Sequence, residues 1–575
     1  MIARRAIVAA VGGRYNWGEG HFFHAPGWPA PACEGTVAGA DDPLAGRSAM
    51  EIDRTRRGFL ADVGRGTLVA TLGIGMAVDL GLADARAAEG DGRGDRIRFG
   101  DREPMVALMQ ETPVDRLVPA LVDRLRAGAD LRDLVAAAAL ANARTFGGED
   151  YVGFHTLMAL APAFHMSRDL AGPLRALPVI KVLYRNTNRI RECGGGDREV
   201  LRAVEPRPSL PEGRSGAEAL RDAVRARDMD GAEATFAALA RGGPIAAFDD
   251  LLPSVQDNTE VHRTVLPYRA WDLLGLIGPD HAHTLLRQSV RYCVKSERDW
   301  RHSREIDKPR EILPRLMDRY RLPAASPGHR EADDAWVEGM ARTIFEATPE
   351  QAAEAAAAAL AEGMAPAAIG EAISMAANQL ILRDVGRTAR EVQPGKPAGS
   401  VHGDSIGVHA CDSANAWRNM ALASNARNAA ACLILGAFQV ALDRDNRGGD
   451  FRNRTPNPRP EDLESVRSAG PAALLGELPS AIRGNDQARA CALAHRMGEA
   501  GADPRAAFDL LLGYAVSEDG ALHAEKFYRT AREEFASTRP AFRWRQVVAL
   551  ARVTASEFGR PAPGYAEACE LLKAR

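Results

Sequence analysis

Four histidines, each directly preceded by an apolar or aromatic residue, recur along this 575-residue chain, and each follows an aspartate by four or five positions. Neutral imidazoles bind Fe, Zn, Cu or Ni, and a metal-bound histidine usually donates its second ring N–H to a carboxylate or a carbonyl. The pattern therefore predicts a metal centre with four imidazole ligands and four aspartates that orient them. The expected ligands are His155, His262, His409 and His523, and the expected aspartates are Asp150, Asp257, Asp404 and Asp519.

A structural interpretation of the same motifs is open as well. Duplication of an ancestral helix would copy a packed histidine into every unit, and an aspartate before a helix is a common cap. In that case the chain would bind no metal at these positions.

Two further residues are candidates for a catalytic or supporting role. His402 lies next to Gly403 and near Gly407, which favour a loop, so we interpret it as supporting the metal ligands or facing the substrate. Lys181 lies among four apolar residues of a predicted helix. It either extends its ammonium group to the surface, pairs with a buried carboxylate, or is chemically modified.

The elements that carry these residues are predicted to be helices. Only 6% of the residues are aromatic and alanine-rich runs abound, a composition that favours helices over strands. One order returns four times: a helix ending at glycine, an apolar helix, an acidic residue, the histidine and a further helix. We expect an all-α fold with four internally repeated units packed as one pseudo-symmetric assembly. It would span residues 100–575, with units at about 104–193, 215–305, 335–442 and 462–575.

Charge and motifs exclude several classes of function. A net charge of −3, from 73 basic and 76 acidic residues, provides no electrostatic footprint for nucleic acid. We find no phosphate loop, no dinucleotide fingerprint and no G-x-S-x-G motif, so no nucleotide cofactor is expected. The expected partner of the site is a small-molecule substrate.

The N-terminal region has the pattern of an export signal. TRRGFL, from Thr55 to Leu60, matches the twin-arginine motif, and an apolar stretch and an A-x-A site at residues 85–87 follow it. We predict a signal peptide at residues 50–87, and residues 1–49 as a disordered stretch upstream of the true start. The twin-arginine export machinery would then be a partner. The mature protein would be periplasmic or extracellular, without a stable membrane anchor.

The segments Gly153-Phe-His-Thr-Leu-Met and His409-Ala-Cys-Asp-Ser-Ala-Asn415-Ala-Trp-Arg resemble the questin oxidase-like family. This resemblance implies an all-helical, non-haem iron oxygenase with four histidine ligands and, in some members, a carboxylated lysine. The histidines that carry it over are His155, His262, His409 and His523. No lysine here matches a family motif, so Lys181 is only a candidate, and the export signal departs from the family.

Together these patterns favour an exported metal-dependent oxidoreductase or oxygenase acting on an organic small molecule. Iron is the expected metal, with another divalent transition metal as the alternative. Two other functions remain open: a non-catalytic helical-repeat binding protein, and a metal-dependent hydrolase. Four histidines within ligand distance of one point would favour the enzyme, and histidines spread over a surface would favour the binding protein.

Overall fold

The fold is all-α, as the sequence predicts. A computed structural model describes residues 95–297, 307–322, 328–392, 396–401, 403, 405–445 and 451–573. These residues form 23 α-helices and no β-strand, with three isolated β-bridges between extended residues. The predicted signal peptide at residues 50–87 and the stretch at residues 1–49 lie outside the described residues.

We number the helices of the described residues in chain order. The first ten are α1 Glu103–Glu111, α2 Val114–Arg126, α3 Leu131–Phe146, α4 Tyr151–Asp169, α5 Leu177–Glu192, α6 Gly216–Arg225, α7 Met229–Leu239, α8 Pro244–Val255, α9 Val261–Ile277 and α10 Ala282–Ser296. The next six are α11 Pro309–Arg319, α12 Asp334–Glu346, α13 Pro349–Ala361, α14 Pro366–Arg383, α15 Ile406–Ala423 and α16 Ala426–Asp445. The last seven are α17 Pro460–Ser465, α18 Pro471–Arg483, α19 Gln487–Glu499, α20 Pro504–Ser517, α21 His523–Ser537, α22 Trp544–Glu557 and α23 Tyr565–Leu572.

Four of these helices, α4, α9, α15 and α21, form a central bundle. Helix α4 packs against α9, α9 against α15, α15 against α21, and α21 against α4, so the contacts close into a ring. Each of the four contains one of the predicted histidine ligands close to its first residue. The central bundle therefore brings together residues from across most of the described chain.

The four helices of the central bundle run in the same direction. Seven residues beyond their respective histidines, Arg269 on α9 donates to the Thr530 hydroxyl on α21 at 3.3 Å. Ten residues beyond theirs, His165 on α4 and Asp272 on α9 approach to 3.8 Å. Because the partners keep equal offsets from the histidine level, the helices are parallel, and long connections must return the chain to the same end after each one.

Further helices surround the central bundle. Each bundle helix packs against the helix that follows it, namely α5, α10, α16 and α22. The helices that precede the bundle helices, α3, α8, α14 and α20, also contact them. This packing does not test whether the four units are copies of one another, so the internal repeat and its boundaries stay predictions.

Helix α3 illustrates how composition positions these elements. Asp130 caps it by accepting a hydrogen bond from the Arg132 N–H at 2.8 Å, and Gly147, at φ 54°, ends it in the left-handed conformation. From Leu134 onward its residues are buried, because alanine side chains let neighbouring helices approach it on all sides. Within the described residues, no helix is long and apolar enough to cross a membrane.

Candidate metal centre

The four predicted histidines lie together at one end of the central bundle. His523 is the first residue of α21 and His262 the second of α9, while His409 and His155 follow within the first five residues of α15 and α4. His155 and His523 are only 3% and 5% exposed. Since the helices are parallel, their N-terminal turns carry all four imidazoles to one level.

The imidazoles meet in two close pairs. The Nε2 atoms of His155 and His262 are 3.3 Å apart, and those of His409 and His523 are also 3.3 Å apart. Two nitrogens bound to one metal at about 2.0–2.1 Å with a near-tetrahedral angle lie about 3.3 Å apart. Each pair thus has the spacing of two ligands of one ion.

Ring contacts between the two pairs close the set. The His155 and His523 ring centroids are 5.3 Å apart, and those of His262 and His409 are 6.0 Å apart. Within the described part of the chain, no three His, Cys, Asp or Glu side chains are arranged as a complete ion-binding group. The ring centroids within the pairs are 4.8 and 5.4 Å apart, so the separations between the pairs are similar and the four imidazoles form one cluster.

Hydrogen bonds at the opposite ring nitrogens fix the direction of the lone pairs. The Nδ1 of His155 lies 2.7 Å from the Tyr151 carbonyl oxygen, and that of His523 lies 3.1 Å from the Ala521 carbonyl oxygen. The Nδ1 of His262 lies 2.6 Å from the Glu260 carboxylate. Because these oxygens only accept, each Nδ1 carries a proton, and in the neutral form of each ring the Nε2 atom is bare.

The spacing of Nε2 atoms within each pair bears directly on cation binding. When both rings are neutral, the Nε2 lone pairs of His155 and His262 face each other at 3.3 Å and repel. A metal ion or a proton shared between them removes the repulsion. The residues present therefore fit a transition metal, for which neutral imidazole is a preferred ligand.

The described aspartates do not occupy the role predicted for them. Asp150 caps α4 by accepting from the Gly153 N–H at 2.6 Å and pairs with Arg189 at 2.5 Å. Asp257 pairs with Arg225 at 2.5 Å. Their oxygens are used by these groups, while the rings of His155 and His262 find partners closer in the chain. For Asp150 this agrees with the capping role considered as the alternative, whereas the cap of α9 is Glu260 rather than Asp257.

The other two predicted aspartates differ. Asp519 accepts from the Ala521 N–H at 3.0 Å and pairs with Arg185, so it shapes the turn before His523 and leaves the ring nitrogen to the Ala521 carbonyl. Asp404 lies outside the described residues, as does His402. Between them, Gly403 packs directly on the site: a Cβ there would lie 2.1 Å from the His523 Cβ. Gly407, expected in a loop, is instead inside α15.

Helix N-termini and burial both oppose protonation of His155. Each N-terminus carries roughly half a positive charge, and four such ends meet here. Burial, the charge of Lys526 and the proximity of His262 hold the pKa of His155 well below its ordinary value. A neutral imidazole is the form that binds a metal, so these forces prepare this ring as a ligand.

No family model, curated protein or solved structure matches this chain. The site is therefore described by its own geometry, and the resemblance to the questin oxidase-like family depends on the two sequence segments alone.

Lys181 is a structural residue of the buried core. Its ammonium group donates to the carbonyl oxygens of Ala515 and Glu518 at 2.7 and 2.6 Å, and it lies 2.6 Å from the Glu525 carboxylate. Two hydrogen bonds to carbonyl oxygens and an ion pair with Glu525 suit a charged ammonium group rather than a carboxylated amine. Of the alternatives considered for Lys181, pairing with a buried carboxylate is the one observed.

Sequence reasoning missed a second buried lysine. Lys526 is 2% exposed and lies one turn beyond His523 on α21. Burial lowers its pKa to about 8, although the Asp412 charge acts in the opposite direction. The sequence does not indicate that Lys526 is buried, because two adjacent charged residues, Glu525 and Lys526, are typical of a solvent-exposed helix surface.

Aromatic residues around His155 and His262 were also missed. The Tyr151 ring centroid lies 4.4 Å from that of His155, and the Phe154 centroid lies 5.1 Å from that of His262. Tyr151 is 49% exposed, whereas Phe154 is buried at 4%. Tyr151 thus lies where the site meets solvent, and Phe154 shields the ring pair from water. Their closeness to the histidine in sequence was the available signal.

Proposed function

We propose that the protein is an exported, metal-dependent oxygenase that holds a non-haem iron, or another divalent transition metal, with four histidines. Its substrate would be an organic small molecule. The observation that carries this proposal is the pairing of four imidazoles, whose Nε2 atoms lie 3.3 Å apart within each pair, at the meeting point of four helix N-termini. The resemblance to a four-histidine oxygenase family and the TRRGFL export motif support it further.

The chain's own residues would hold and shield the reacting centre. His155, His262, His409 and His523 would bind the ion through Nε2, with three of the rings fixed by the described carbonyl and carboxylate acceptors. Phe154 would keep water from one side. Iron bound there would supply the redox chemistry that activates dioxygen, and four imidazoles leave it one or two open positions.

A non-catalytic binding protein, in which the four histidines only pack against one another, explains the same geometry less well. A packed histidine has no need to direct a bare nitrogen at another bare nitrogen, and buried polar groups normally find a complementary partner. If the histidines bind a metal, the ion is that partner, because it is shared by the two nitrogen lone pairs.

Metal analysis with matched variants tests the proposal. The purified protein, loaded anaerobically with Fe²⁺ and desalted, is expected to retain about one equivalent of iron per chain, as fits a single four-ligand site. His155→Ala and His409→Ala should lose it, whereas His495→Ala, which removes a partly exposed imidazole paired with Glu499, should retain it. Oxygen consumption with candidate substrates should follow the iron content.

Two results would contradict the proposal. One is a correctly folded wild-type protein that retains far less than one equivalent of any transition metal. The other is an oxygen-consuming activity that a strong chelator leaves unchanged after prolonged dialysis.

A further inference from the structure

Three of the four imidazoles have described partners at Nδ1, and the partner of His262 differs in kind from the other two. The rings of His155 and His523 are held by main-chain carbonyls, which are neutral acceptors. The His262 ring is held by the Glu260 carboxylate at 2.6 Å, a charge-assisted contact. Of the three described contacts at Nδ1 of the predicted ligands, the contact of His262 is the one made with a side-chain carboxylate.

Glu260 is itself fixed from several directions. One of its oxygens accepts from the backbone N–H groups of His262 and Arg263, both at 3.0 Å, which makes it the N-cap of α9. The Tyr292 hydroxyl on α10 donates to the same oxygen at 2.8 Å. The other oxygen is left for the His262 ring. One carboxylate thus caps the helix and orients the imidazole that begins it.

The length of the glutamate side chain lets Glu260 both cap α9 and contact the His262 ring. Aspartate is the usual acidic cap, and Asp150 has that position on α4 without contacting the His155 ring. Glutamate has one more methylene, so it can cap with one oxygen and reach the ring with the other. Three donors, the backbone N–H groups of His262 and Arg263 and the Tyr292 hydroxyl, hold this carboxylate in place.

We propose that Glu260, positioned by Tyr292, orients and strengthens His262 as a ligand of the metal centre. A carboxylate on Nδ1–H fixes the ring's tautomer and raises the basicity of Nε2, so His262 would be a stronger donor than the same imidazole without that carboxylate. Glu260 is a positioning residue, since it acts through the imidazole. This inference depends on the proposed function, because it assumes that the histidines bind a metal.

Metal affinity, measured with Glu260→Gln and a matched cap variant, tests the proposal. Anaerobic titration with Co²⁺ and Fe²⁺ should give a Kd about 10–100-fold higher for Glu260→Gln than for the wild type. Asp150→Asn weakens the equivalent cap of α4 but touches no ring, so its Kd should stay within about twofold of wild type. The visible d–d spectrum of the Co²⁺ form should shift in Glu260→Gln and stay unchanged in Asp150→Asn.

A second, milder variant tests the inference even if Glu260→Gln fails to fold. Tyr292→Phe keeps the carboxylate and removes one hydrogen bond to it, so it should raise the Kd about fivefold, as the loss of about 1 kcal/mol predicts. If the wild type binds metal and Glu260→Gln, Tyr292→Phe and Asp150→Asn all bind it with the same Kd as the wild type, this inference alone is overturned. A wild type that binds neither Co²⁺ nor Fe²⁺ would overturn the proposed function and this inference with it.

Discussion

Lys181 shows at the residue scale what an odd sequence position can mean. The sequence indicated a lysine in an apolar helix, and the structure places its ammonium group, 3% exposed, against a fully buried Glu525. The two charges are an ion pair; neither Glu525 oxygen has hydrogen-bond geometry with a donor in the described residues. Removing one partner leaves the other charge buried and uncompensated, which is costly.

Lys181→Met should therefore destabilise the protein by about 3–5 kcal/mol, because Glu525 is left as an unpaired buried carboxylate. Urea unfolding followed by circular dichroism measures the change. The double variant Lys181→Met/Glu525→Gln should recover a large part of the loss, since neither position of the former pair then carries a charge. A single variant as stable as wild type would show that the pair has no structural role.

The element that delivers His523 is the turn between α20 and α21. Ala521 and Leu522 have φ values of 50° and 68°, in the left-handed region that non-glycine residues avoid. The turn is held by Lys181, which binds the Glu518 carbonyl, and by Asp519, which accepts from the Ala521 N–H. Strain at these two residues is the cost of directing His523 toward the other rings.

Ala521→Gly tests this strain. Glycine adopts the left-handed conformation without penalty, so the variant should be about 0.5–1 kcal/mol more stable despite the greater freedom of its unfolded chain. The Ala521 carbonyl that accepts from His523 is retained. Ala355→Gly, in the interior of α13, is the control and should cost about 1 kcal/mol. Destabilisation by Ala521→Gly as large as that of the control would contradict the interpretation.

At the scale of the whole molecule, the site links distant parts of the chain. Partners within the two histidine pairs are separated by 107 and 114 residues. An ion bound to all four rings would connect every helix of the central bundle. Binding to the folded state alone would then stabilise the entire assembly.

Metal loading is accordingly expected to raise the melting temperature. A free metal concentration of about 100 times the Kd adds about 2.7 kcal/mol, which corresponds to a Tm increase on the order of 3 °C for a chain of this size. Differential scanning calorimetry with and without Fe²⁺ under anaerobic conditions measures the shift. His495→Ala should keep the shift and His523→Ala should lose it; a shift of equal size in both would indicate unspecific binding.

Much of the fold was accessible from the sequence because helix formation is encoded locally. Helix α3 consists largely of alanine and leucine, in keeping with the composition that predicts helices. Gly147, in the left-handed conformation, ends it. The aspartate roles were less accessible, since a capping carboxylate and a ring-orienting carboxylate look alike in sequence, and only the position of Arg189 or Arg225 decides between them.

The sequence by itself determined the all-α class and singled out the four histidines, because periodicity and short motifs are properties of neighbouring residues. Only the tertiary structure decided that these histidines meet at one level, that Glu260 rather than Asp257 holds the His262 ring, and that Lys181 belongs to the core. The meeting of the histidines and the burial of Lys181 depend on packing between helices more than a hundred residues apart. That packing is set by the complementarity of whole helix surfaces, which no short motif contains.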